Sequence, residues 1–140
     1  MREDTASRKA GPLVRSLPIT LWPIADRRAW EEACRPSLRL KRGGAASHLR
    51  AVTQNDLARR YGYFVHFLSR SDLLDMTAGP AAQVIPQHVD AYVAELRSRV
   101  GSVTVYGSIQ KLRRMVQLIA PGRDNDPVGR CFAGCAVFGR

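Results

Sequence analysis

SVTVYGSIQKLRRMVQLIAP, residues Ser102–Pro121, is the stretch on which the fold class turns. Wound as an α-helix at about 100° per residue, it separates into two faces. Val105, Ile109, Leu112, Val116 and Ile119 gather on one side, with Met115 at its edge. Thr104, Gly107, Lys111 and Arg114 gather on the other. Ser102 stands where an N-cap is expected, and Pro121 stands where a helix must stop. The polar face therefore carries cations, a hydroxyl and a glycine that admits another backbone, a set suited to a phosphate backbone. A solvated helix whose cations serve only solubility has the same pattern, so the rest of the chain has to discriminate.

Immediately upstream, Pro86 opens a helix through QHVDAYVAELRSRV, with Val89, Tyr92, Val93, Leu96 and Val100 on one face and Gly101 placed as its stop. Residues 71–85 read as a loop containing Gly79-Pro80. A stronger helix is expected over about Gln54–Arg70, where Thr53 and Asp56 resemble a capping box. Its stripe is Leu57, Tyr61, Phe64, Val65 and Leu68, while Arg59, Tyr63, His66 and Arg70 fall opposite. His66 reads as an ordinary solvated histidine. Before it, SLRLKRGGAASHLRAV is a basic linker containing Arg39, Lys41, Arg42 and Arg50. A first helix is expected over about Pro23–Arg35, with Asp26 near its N-terminus, Trp30 and Ala33 inward, and Pro36 ending it. Nothing reads as a strand. The expectation is an all-α, compact bundle of about four helices spanning residues 20–122, preceded by a flexible basic arm over 1–19 and followed by an irregular Gly/Cys-containing tail over 123–140.

The 140 residues carry 22 Lys and Arg against 12 Asp and Glu, a formal charge of +10. An apolar fraction of 45% suffices for a core. The charge predicts attraction to polyanions, and arginine, which dominates the cations, bonds phosphate oxygens in pairs. GC-rich coding would also favour Arg over Lys, but it does not explain the scarcity of acids. No run reaches the roughly 20 apolar residues of a membrane span, and MREDTASRKAGPLVRS has no signal-peptide core, so a cytoplasmic protein with no membrane partner is expected. Cys34, Cys131 and Cys135 are scattered, and the Cys131/Cys135 pair has no second pair to complete a tetrahedral site. No metal, cofactor or small-molecule ligand is expected. His48, His66 and His88 fall in separate elements, and no nucleophile–base pair or phosphate loop is visible.

The order of the pieces carries a resemblance. Thr53, Leu57, Tyr61, Phe64, Phe67 and Leu68 form one helical pattern, followed by Leu74-Asp75 and then by Pro86, Val89, Tyr92 and Leu96. Next comes SVTVYGSIQKLRR, and Trp22, Pro23, Asp26 and Trp30 form a W-P-x₂-D-x₃-W opening. Over about residues 20–122 this resembles the N-terminal core-binding domain of tyrosine recombinases, the phage-integrase type of site-specific recombinase. The resemblance implies a small SAM-like helical bundle forming half of a clamp on double-stranded DNA. By position it assigns DNA contact to Arg59, Thr104, Lys111 and Arg114, joined by Arg39, Lys41 and Arg42. An intact recombinase subunit is the partner expected if the chain is instead a protein-interaction fragment. In that family the phosphate-holding arginines and the tyrosine nucleophile belong to a second, larger domain. The chain departs from the pattern after Gly122-Arg123-Asp124, so the expectation is a truncated or frame-shifted integrase without catalysis of its own. An inactive remnant, a protein-interaction fragment and a basic helical RNA-binder stand as alternatives.

Overall fold

Four helices and one short 3₁₀ turn account for the regular structure of residues 15–121, the part of the chain that the computed structural model describes. The turn is Ile19–Leu21; α1 is Ile24–Ala33, α2 Ala51–Arg70, α3 Pro86–Arg97 and α4 Ser102–Ile119. Among the described residues there is no strand, only an isolated antiparallel bridge between Leu38 and Lys41. The molecule is an all-α bundle. α4 packs against each of the other three helices and most extensively against α2, which also touches α3.

Each helix buries the stripe its sequence provides. Leu57, Tyr61, Phe64, Val65 and Leu68 of α2 meet Val105, Ile109, Leu112 and Val116 of α4, with Val89, Tyr92, Val93 and Leu96 of α3 and Trp30 of α1 completing one core. At about 25 cal/mol per Å² of apolar surface removed from water, such stripes supply the main drive to fold. Met115, at the edge of the stripe by periodicity, is fully buried, because α1 covers the flank of α4. Phe67 widens the buried face of α2. An aromatic chain runs through the core, with ring centroids 5.0 Å apart for Trp22–Tyr61, 6.2 Å for Tyr61–Phe64, and 5.3 Å for both Phe64–Tyr92 and Phe67–Tyr92.

The ends of the helices correct the sequence reading in several places. α2 begins at Ala51, three residues before the expected start, with Arg50 as N-cap and no side-chain cap bond. Thr53 and Asp56 form no capping box, because both lie within the helix and the Asp56 carboxylate is engaged by α4. Ser102 is the first residue of α4, and Gly101 takes the N-cap position with φ −75°. Gly101 is therefore not a left-handed stop for α3. That helix closes instead through a tightened turn, with Arg99 N–H and Val100 N–H both donating to the Leu96 carbonyl at 2.9 Å. α1 stops at Ala33: Cys34 N–H still donates to the Trp30 carbonyl at 3.0 Å, and Arg35 N–H turns to the Glu32 carbonyl at 3.1 Å.

The N-terminal arm expected over residues 1–19 lies mostly outside the described residues, as does the tail over 123–140. Its last part is fixed on α2: Ser16 Oγ donates to the Arg59 carbonyl at 2.8 Å, and Leu17 N–H donates to the Gly62 carbonyl at 3.2 Å. Gly62 is what permits this, since a Cβ there would lie 2.2 Å from Ser16 Oγ and 2.6 Å from the Leu17 carbonyl oxygen.

Candidate nucleic-acid interface

The polar edge where α2 meets α4 carries a row of cations with Asp56 among them. Asp56, the sixth residue of α2, bonds the Lys111 ammonium of α4 directly. The same carboxylate accepts from Arg59 at 3.1 Å and lies 3.5 Å from Arg60 Nε. The Lys111 hydrogen bond, with the Lys111, Arg60 and Arg59 charges, holds Asp56 below the usual carboxylate range against the opposing effect of burial.

On one side of this node, Arg59, Arg60 and Tyr63 of α2 join Arg99, Thr104 and Ser108 around an open groove of ≈ 230 Å³ with Tyr92 and Leu96 at its floor. The Arg59 guanidinium lies 6.0 Å from the Tyr63 ring centroid, an arrangement of cation and aromatic face. On the other side, Lys111 lines a shallow depression along α4 with Gln110, Arg113, Arg114 and Gln117. The five arginines and Lys111 can only donate and carry positive charge, while Tyr63, Thr104, Ser108, Gln110 and Gln117 can donate or accept. Such a row attracts an anionic polymer and can donate to its phosphate oxygens.

The seven residues singled out in the sequence do not share one position. Arg59, Thr104, Lys111 and Arg114 line the α2–α4 edge. Arg59 and Lys111 are held by Asp56, while Thr104 and Arg114 are exposed. Lys111 is thus a link between two helices as well as a surface cation. Arg39, Lys41 and Arg42 project from a hairpin between α1 and α2. Arg60, Arg99, Ser108 and Arg113 are further members of the row that periodicity alone did not select. Arg60 and Arg113 adjoin residues that were selected, and Arg99 comes from the turn after α3.

Other titratable groups serve the frame. Arg70 Nη2 donates to Glu95 at 2.8 Å, and Arg99 lies 3.9 Å from the same carboxylate, joining α2 to α3. His66 is half-buried and its Nδ1 accepts from Arg70 at 3.4 Å; burial, with the Arg70 and Arg15 charges, lowers its pKa. It is a partly exposed histidine whose ring meets the Arg70 side chain one turn further along α2. Burial pushes the Tyr92 hydroxyl up to about 12. Among the described residues no three His, Cys, Asp or Glu side chains are grouped to hold a metal, and no helix is long and apolar enough to cross a membrane. Cys131 and Cys135 lie outside the described residues. Comparison with protein-family models, with curated proteins and with solved structures gave no match.

Proposed function

We propose that this chain binds duplex DNA through the α2–α4 edge, as the core-binding half of a tyrosine-recombinase-type integrase. The observation that carries the proposal is the row Arg99, Arg60, Arg59, Lys111 and Arg114, which runs from the turn after α3 across α2 to α4, with Asp56 within it and Glu95 beside Arg99. A rigid pair of helices with cations at its seam can lie along a phosphate backbone without reorganising. The integrase part of the proposal rests on the sequence resemblance.

This reading gives the chain a holding role and not a cutting one. Tyr61, Tyr63, Tyr92 and Tyr106 all lie in helices of the bundle; Tyr61 and Tyr92 are buried, and the Tyr61 hydroxyl donates to Asp26. Tyr63 faces the row itself. The proposal expects a gel shift of duplex DNA in preference to single-stranded RNA of the same length, with affinity in the non-specific range of roughly 10⁻⁴–10⁻⁶ M at physiological salt. It also expects no covalent adduct on a nicked recombinase substrate. Failure to shift duplex DNA, or a trapped protein–DNA adduct, contradicts it.

A further inference from the structure

The connection between α1 and α2 is a built hairpin with an apolar tip. Leu38 N–H donates to the Lys41 carbonyl at 2.8 Å, and Lys41 N–H donates back to Leu38 at 3.1 Å, leaving Arg39-Leu40 as a two-residue turn. Its base is fixed to α1. Arg35 Nη1 donates to the Arg42 carbonyl at 2.6 Å while the same guanidinium holds Glu32. Gly43 N–H donates to Ser37 Oγ at 3.0 Å, Gly44 N–H to the Arg35 carbonyl at 2.9 Å, and Ala46 N–H to the Ala33 carbonyl at 2.7 Å. Gly44 is required for this seat, since a Cβ there would lie 2.0 Å from the Glu32 carbonyl oxygen.

What this anchored turn displays is Leu40, 97% exposed, beside Leu38 at 63%. Arg39 and Arg42 make no side-chain ion pair among the described residues, and Lys41 meets only the field of Glu32. A leucine on a fixed support, with cations on either side of it, is the composition of a side chain that wedges between stacked bases while its neighbours hold phosphates.

We infer that Leu40 inserts between base pairs of bound duplex DNA from the minor groove, with Arg39, Lys41 and Arg42 on the flanking phosphates. The inference rests on the DNA-binding reading and adds a deformation of the DNA to it. Charge complementarity fixes the occupant: three cations accompany the two exposed leucines Leu38 and Leu40, whereas a membrane-surface anchor needs a much larger apolar face than one turn provides. A pyrimidine–purine step, which unstacks most readily, is the favoured place of entry.

The test uses the full chain and a duplex carrying 2-aminopurine beside a central TA step, with fluorophores at its two ends. Parent protein is expected to raise the 2-aminopurine fluorescence and bring the ends closer. Leu40→Ala, which alters an exposed side chain, is expected to retain the helical circular dichroism and the salt dependence of binding while losing both signals. Arg39→Ala with Arg42→Ala is expected to weaken binding and flatten its salt dependence. DNA binding with 2-aminopurine fluorescence unchanged, or unaffected by Leu40→Ala, overturns the wedge and leaves the DNA-binding reading standing. Absence of duplex binding overturns both. Leu40-dependent binding to phosphatidylserine vesicles in place of DNA overturns the inference in favour of a membrane surface.

Discussion

Asp26 lies in the first turn of α1, where a carboxylate favours the helix dipole, but its side chain is buried and accepts from two distant groups. Its Oδ1 takes the Tyr61 hydroxyl at 3.1 Å and the Ala81 N–H at 2.7 Å, so α1, α2 and the loop before α3 meet at one oxygen. Ala81 is held at φ 58°, a left-handed conformation unusual for alanine. Asp26→Ala removes the acceptor of both bonds and should lower stability by about 2–4 kcal/mol, while Asp26→Asn, which keeps an oxygen at that position, should cost less. Denaturant unfolding checks the order of the two variants. The two carboxylates Asp26 and Asp56 should also respond to acid in opposite senses. Burial raises the Asp26 pKa above 3.8, so a penalty for its ionised form is present at neutral pH and is relieved as pH falls through that raised value. Lys111 and its neighbours lower the Asp56 pKa below 3.8, so its contribution is present above 3.8 and is lost as pH falls through the lowered value. Asp56→Asn should therefore flatten the loss of stability in acid, and Asp26→Asn should steepen it, measured by urea unfolding from neutral to strongly acidic pH. At the same node, Lys111→Ala should cost up to about 1 kcal/mol of stability because the pair is partly exposed. Arg114→Ala should cost nothing measurable.

The C-terminus of α2 offers a cleaner test at the scale of an element. Leu73 N–H donates to the Leu68 carbonyl at 2.9 Å and Asp72 N–H to the Ser69 carbonyl at 3.2 Å, a Schellman closure with Asp72 at φ 59° where glycine is usual. Asp72→Gly should raise stability by about 0.5–1 kcal/mol by removing the Cβ strain of the left-handed conformation, read as a higher denaturant midpoint at constant slope. Helix faces were legible in the sequence, because 3.6-residue periodicity follows directly from burial: Leu57, Phe64, Val89, Leu96, Val105 and Leu112 all lie in the core as read. The ends were less legible. Thr53 and Asp56 have the spacing of a cap, but a carboxylate within reach of Lys111 across the bundle gains more from that partner than from its own helix start. Tertiary partners also decide Met115 and Ala81, whose burial depends on α1 and on Asp26 rather than on local pattern. Within the candidate site, Arg59, Thr104 and Arg114 were visible as exposed polar positions. Arg60 and Arg99 were not, because the α2–α4 seam that recruits them exists only once the helices are packed. The SLRLKR segment was legible as basic and not as a fixed hairpin, since its order comes from bonds to α1.

Across the whole molecule, charge and architecture support one proposal: that the bundle meets the backbone of duplex DNA with the line of cations at the α2–α4 seam. The net charge of +10 would attract any polyanion, so binding alone is a weak test. The location of the contacts is the stronger one. Each phosphate contact releases condensed counterions and adds about 0.9 to the slope of log K against log salt. The deciding measurement is fluorescence anisotropy of a labelled duplex titrated with the full chain over a series of salt concentrations, for the parent, Arg59→Ala, Arg114→Ala and Arg28→Ala, the last an exposed cation of α1 outside the row. The account predicts a steep, linear salt dependence for the parent. It predicts slopes shallower by about 0.9 for Arg59→Ala and for Arg114→Ala, and a parental slope for Arg28→Ala. Equal slopes for all four proteins, or a loss confined to Arg28→Ala, would contradict the assignment of the α2–α4 seam as the DNA-binding face.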